Sequence, residues 1–138
     1  MKEYSYGLCP YRIQNRKIYV LLNKTSSISD WNFFKGKPEQ EDVSNVDTAI
    51  REFYEEAGVY IFKQYHEEYF SSISKRKNIG IWLCQAHNDL FTFDKKEIYS
   101  AEWVELKDIK MSNNQQKILD EIILHLKPLK EYIEYTMV

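Results

Sequence analysis

Strands alternating with two well-spaced helical segments predict an α/β fold, a mixed sheet packed between helices. Three observations carry this. Eleven Tyr, seven Phe and three Trp point to a sheet-rich core. An apolar stripe at helical spacing runs from Val46 to Ala57, and a second from Ile118 to Leu126. At 138 residues with 43% hydrophobic content, the chain reads as one domain, 1–138, able to bury a core without staples. It has no repeat, no low-complexity tract and no linker.

The elements follow in order. Tyr4 to Arg12 alternates loosely and reads as a strand. A polar Gln-Asn-Arg turn joins it to a buried strand, Lys17 to Asn23. Ser26 to Asp30 is a loop and Trp31 to Phe34 a short aromatic strand. An acidic loop runs from Gly36 to Ser44. The clearest helix comes next. Ser44 or Asn45 can cap it, with Asp47 three residues after Ser44. Val46, Ala49, Ile50, Phe53 and Ala57 form its core face, and Gly58 stands where a left-handed cap belongs. Val59 to Phe62, Tyr69 to Ile73 and Ile79 to Ala86 read as strands, with a basic turn at 75–78. Asp89 to Lys96 is a polar connection and Ile98 to Leu106 a final strand. A helix over about 112–127 is closed by Pro128.

Composition excludes several functions. Nineteen basic residues against 21 acidic ones leave a net charge of −2. A duplex DNA or membrane-surface binder relying on charge alone is therefore not expected. No apolar run is long enough for a bilayer, and the N-terminus lacks a signal-peptide core. Cys9 and Cys84 suggest neither a ligand cluster nor a disulfide framework. They read as buried thiols of a reduced, cytoplasmic protein.

Seven of the 21 acids crowd into residues 39–56: Glu39, Glu41, Asp42, Asp47, Glu52, Glu55 and Glu56. Glu52, Glu55 and Glu56 stand at i, i+3 and i+4, which puts three carboxylates on one flank of the helix. Each like-charged pair costs roughly 0.2–0.5 kcal/mol. Their place in the last turn, at the negative end of the helix dipole, costs roughly 0.3–1 kcal/mol more for each. A divalent cation removes the objection, and Mg²⁺ suits best because it shares its coordination shell with waters and phosphates. Arg51, four before Glu55, can hold that carboxylate. By spacing alone, a solvated acidic face with an Arg–Glu pair is the plainer reading.

The segment resembles the Nudix box: Gly, five residues, Glu, seven residues, then Arg-Glu-bulky-x-Glu-Glu-x-Gly-bulky. Residues 51–59 fill the second half without a break, and Gly36 opens the first. There is one departure. Asp42 stands where Glu is usual, and eight residues separate it from Arg51. Either Asp42 or Glu41 must therefore fill the loop-bracing position. The lead-in, residues 31–37, resembles the Trp-x-Phe-Pro-Lys-Gly-Lys of decapping and dinucleoside-polyphosphate branches, with Phe34 for Pro. Glu97, six before Trp103, resembles an extra catalytic Glu of decapping-type members.

The resemblance implies the family's α/β/α sandwich, with a loop–helix–loop catalytic box at 36–59. It implies a Mg²⁺-dependent pyrophosphohydrolase, with Mn²⁺ as a substitute, acting on a nucleoside diphosphate linked to another group. Glu52, Glu56 and the Gly36 carbonyl would be the surest metal ligands, with Glu55 beside them. Glu55 or Glu97 would be the general base. Lys35 and Lys37 are candidate phosphate contacts; Arg12 and residues 75–77 are weaker ones. Trp31, Phe33, Tyr65, Tyr69 and Trp82 are candidates for stacking on a base. His66, His87 and His125 match no metal-ligand spacing. The expected partner is a small-molecule nucleotide, a dinucleoside polyphosphate, or a capped or phosphorylated RNA 5′ end. ADP-ribose and nucleoside triphosphates are rival substrates. A non-catalytic nucleotide sensor and an acidic protein-binding surface are rival classes, and intact Glu52, Glu55 and Glu56 argue against the sensor. The reading leaves room for a homodimer.

Overall fold

The computed structural model describes residues 1–61, 66–86 and 100–136. Its elements are β1 (Glu3–Gln14), β2 (Lys17–Lys24), β3 (Phe34–Gly36), α1 (Asn45–Ala57), β4 (His66–Ile73), β5 (Lys77–Gln85), β6 (Ser100–Glu105) and α2 (Asn113–Thr136). The six strands form one sheet in the order β4-β5-β1-β2-β6, with β3 also on β1. Only β1 and β5 run parallel, so the sheet is mixed as expected.

β1 is the spine. Its first half pairs with β3 (Tyr6↔Gly36, Leu8↔Phe34) and its second half with β2 (Tyr11↔Val20 to Gln14↔Lys17). Pro10 has no N–H to donate, and it falls between these two partnerships. Asn15 (φ 52°) and Arg16 (φ 63°) make the hairpin turn into β2. Two positive φ angles match the twist of the flanking strands.

Strand alternation sorts the core into two layers. Tyr6, Leu8, Leu21 and Phe34 face α1, meeting Ala49, Phe53 and Ala57. Cys9, Tyr11, Val20, Leu22, Ile81 and Leu83 face α2, meeting Ile118, Leu119, Ile122 and Leu126. The sheet therefore lies between the helices. Among the described residues, no helix is long and apolar enough to cross a membrane.

Several boundaries differ from expectation. The third strand is Phe34–Gly36 rather than Trp31–Phe34. Phe33 is instead buried on the α2 side, and its N–H donates to Gln115 Oε1 at 2.8 Å. Val59 to Ile61 lie outside any strand, and Phe62 lies outside the described residues. So do residues 89–96, and Ile98 and Tyr99 of the expected last strand. β5 starts at Lys77, which shortens the basic turn. The largest correction is α2, which continues through Pro128 to Thr136. An interior Pro costs roughly 3 kcal/mol. The extra turns bury Ile133 to 4% exposure and pack Leu129 on the same core. Burying such a side chain contributes about 1.5–3 kcal/mol and offsets the break.

Candidate active site

The acidic segment is held by its caps. Ser44 Oγ accepts from the Asp47 N–H, and Gly58 (φ 74°) closes α1 with its N–H on the Tyr54 carbonyl at 2.9 Å. Thr48 is buried although it is polar, because its hydroxyl donates to Asp42 Oδ2 at 2.8 Å.

Arg51 is the hub. Its Nε and Nη2 donate to the two oxygens of Asp42, both at 3.0 Å, and Nη2 also reaches the Lys37 carbonyl at 3.0 Å. Nη1 lies 3.1 Å from Glu52, 3.3 Å from Glu55 and 3.3 Å from Glu39. One guanidinium thus ties the loop 37–42 to the helix. Asp42, not Glu41, fills the bracing position; Glu41 faces solvent. The Asp42 side chain is 7% exposed and accepts the Glu39 N–H as well. The Arg51 hydrogen bond, above all, holds its carboxyl well below the usual range. The loop is one residue longer than the family pattern, and the bracing acid is one carbon shorter.

Glu52 lies against the backbone of Gly36, where any Cβ would overlap its carboxylate. Glycine is required by this close approach. Burial raises the Glu52 pKa, and the neighbouring Arg51 pulls against it. Glu56 is half-buried one turn on, while Glu55 is exposed and turned to Arg51. Among the described residues, no three Asp, Glu, His or Cys side chains converge as a ready metal cage. The donors at hand are hard oxygens beside a backbone cradle, a set that fits Mg²⁺ or Mn²⁺ better than a softer ion.

Lys35 and Lys37 flank Gly36. Lys35 is half-buried; burial first, then Lys77, lowers its pKa. Lys37 is exposed, 3.8 Å from Glu3. Glu97, Tyr65 and His87 lie outside the described residues. Arg12 stacks over Trp103 at 4.6 Å, on the α1 side of the sheet. Tyr69 and Trp82 meet at 4.4 Å on that same side. Trp31 lies under Lys24 at the α2-side core. Phe33 is removed from the stacking candidates by its burial. His66 lies 6.4 Å from Trp82, and His125 pairs with Glu67 at 3.5 Å. Cys9 and Cys84 are buried and unbridged, and burial raises both thiols, Cys84 to about 12. Tyr6 and Trp103 also lie on the α1 side of the sheet. Strand alternation would have found Tyr6, two residues before Leu8 on the face that meets α1.

The Nudix domain family model matches residues 1–125. The chain belongs to the Nudix family. It is 31% identical over 124 residues to mRNA decapping complex subunit 2 of Schizosaccharomyces pombe, a match covering 83% of this chain. The chain spans only 17% of that subunit's length. Among solved structures, a C. elegans Ap4A hydrolase binary complex aligns at TM-score 0.61 and 26% identity, over 96% of this chain and 98% of that one. The Nudix domain of Shewanella oneidensis NrtR, complexed with ADP ribose, aligns at TM-score 0.73 and 14% identity over 91% and 89%. The second likeness speaks to the Nudix fold alone.

Proposed function

We propose that this chain, one Nudix domain over 1–138, is a divalent-metal-dependent pyrophosphohydrolase. Its substrate is a nucleoside diphosphate linked to another group. A dinucleoside polyphosphate and a capped or 5′-phosphorylated RNA end are the first candidates. The observation that carries the reading is the Glu52 carboxylate seated on Gly36, with Arg51 and Asp42 clamping the loop around it. Similarity to a decapping subunit and to an Ap4A hydrolase supports the substrate class.

In this reading Glu52, Glu56 and the Gly36 carbonyl hold the metal, with Glu55 near them. Bound Mg²⁺ would neutralise phosphate charge and lower the pKa of a water. Arg51 positions Glu52 and Glu55 rather than touching substrate. Glu55 or Glu97 takes the proton of the attacking water. Lys35 and Lys37 meet the phosphates from the other side of Gly36. Buried, unbridged thiols support a reducing compartment, the cytoplasm.

The test is product release from dinucleoside polyphosphates, capped and triphosphorylated RNA ends, ADP-ribose and nucleoside triphosphates. Each is run with Mg²⁺, Mn²⁺ or EDTA, beside Glu56→Gln. Turnover of one class, dependent on metal and reduced by orders of magnitude in the variant, is expected. Nucleotide binding with no turnover of any substrate would overturn the reading in favour of a sensor.

A further inference from the structure

α2 has two faces of different make. Ile118, Leu119, Ile122, Leu126 and Ile133 point into the core, with Leu129 half-buried beside them. The opposite face is exposed, and its two halves differ. Before Leu124 it carries Lys117, Asp120 and Glu121. From there on it carries Leu124, Pro128, Tyr132 and Tyr135, at i, i+4, i+8 and i+11. That spacing sets the four on one stripe.

Leu124 is 69% exposed, Tyr132 65% and Tyr135 83%. The solvent face of a helix that serves one domain alone is polar. A single exposed apolar side chain needs no explanation, but four in line over about 17 Å of helix make a patch. The stripe straddles Pro128, so it exists only because α2 continues past the break.

The charges beside the stripe decide what can lie on it. One flank carries Lys127, Lys130, Glu131 and Glu134, all exposed, two of each sign. On the other flank His125 is engaged by Glu67 of β4, 3.5 Å away. A parallel copy of the helix would set Lys127 on Lys127 and Glu131 on Glu131. An antiparallel copy, turned about a two-fold axis between Leu129 and Lys130, opposes unlike groups instead. It brings Leu124 of one copy to Tyr135 of the other. It also brings Lys127 within two residues' rise, about 3 Å along the axis, of the other copy's Glu131 and Glu134. All three lie on the same flank, so helices about 8–10 Å apart let them pair, twice over by symmetry.

We propose that the outer face of α2 docks a second copy of this chain, antiparallel, through Leu124, Pro128, Tyr132 and Tyr135. Lys127 of each copy meets Glu131 and Glu134 of the other. A contact of about three helical turns is small beside a standard interface of about 1,200–2,000 Å², so the dimer is weak and concentration-dependent. α1 and the box lie on the other side of the sheet, so the contact leaves them uncovered.

The test is sedimentation equilibrium of the full chain from roughly 10 μM to 1 mM, the range in which small interfaces associate. The parent should pass from monomer to dimer and stop there, because a two-fold contact closes on itself. Leu124→Ser with Tyr135→Ser should raise the dissociation constant about tenfold or more. Both side chains are exposed, so the melting temperature of the monomer should hardly move. Lys127→Glu with Lys130→Glu leaves four acids on the flank and should also weaken the dimer about tenfold. Adding Glu131→Lys and Glu134→Lys inverts the whole flank and should restore it. The inverted chain should not pair with the parent, whose Lys127 would then face lysines.

Cross-linking reads the orientation. Leu124→Cys and Tyr135→Cys are made in separate chains, and the native Cys9 and Cys84 are buried and do not compete. A short thiol cross-linker should join the two variants when they are mixed and neither variant to itself. Self-joining of either variant alone would show a parallel pair and overturn the proposal. A chain that stays monomeric up to the highest concentration would overturn it too, and would leave this face to a partner of another kind. So would a dimer indifferent to both the Leu124/Tyr135 and the Lys127/Lys130 variants, which would place the interface elsewhere on the surface.

Discussion

Arg51 grips Asp42 through two parallel hydrogen bonds, Nε to Oδ1 and Nη2 to Oδ2, each 3.0 Å long. Eight residues of chain separate the partners, so this pair closes the loop of the box onto its helix. Bidentate geometry at a nearly buried carboxylate makes it the strongest ionic contact of the site.

Asp42→Ala should lower stability by about 2 kcal/mol, read from urea unfolding. The loss is smaller than for a fully buried pair because Arg51 keeps Glu52, Glu55 and Glu39. The freed loop no longer holds Gly36 under Glu52, so kcat should fall further than the stability change would suggest.

The same pair fixes an acid limb. The Asp42 carboxyl is depressed below its ordinary value of 3.8 in the folded state. A depressed acid contributes its full stability above the unfolded value and loses it as pH falls toward the folded one. Urea midpoints of the parent should therefore drop as the pH falls below about 4. In Asp42→Asn the drop over the same range should be shallower. Parallel curves would show that the pair contributes no pH-linked stability.

Gly36→Ala puts a methyl group where the Glu52 carboxylate lies. Metal-dependent turnover should fall about a hundredfold, since a displacement near 1 Å at a positioned group has that effect. Melting temperature should change little, because Glu52 can rotate toward solvent. Unchanged turnover would show that this close approach is not used.

Glu52→Gln should dissociate stability from function. Burial disfavours the Glu52 charge, so the neutral amide should raise the melting point by a few degrees without metal. Mg²⁺ should then stabilise the parent and not the variant. Equal stabilisation of both by Mg²⁺ would remove Glu52 from the metal site.

Pro128→Ala restores a backbone donor inside a continuous helix. It should stabilise the chain by about 1–2 kcal/mol, the removed helix penalty less the lost rigidity of the unfolded chain. Truncation after Lys127 should destabilise by a similar or larger amount, because Ile133 leaves the core. A neutral truncation would mean the last turns carry no packing energy.

The sequence by itself determined the parts that local physics controls. The stripe of Ala49, Ile50, Phe53 and Ala57, the Ser44 cap and the Gly58 cap are properties of nearby residues and appear where spacing put them, while Val46, expected on the same stripe, stays half-exposed at the first turn. The acids of the box and the Arg51–Glu55 contact at i, i+4 belong to the same class. Tertiary structure decided what depends on distant partners. Asp42 over Glu41 follows from which oxygen pair meets Arg51 across the loop. Phe33 turned inward because Gln115, 82 residues away, takes its N–H. α2 ran through Pro128 because the sheet offers Ile133 a buried seat, worth about as much as the broken turn costs. The row from Gly36 through Tyr6 and Gly80 to Ser71 exists only once four strands are in register. Periodicity tells which face a residue takes; only strand pairing tells which residues share it.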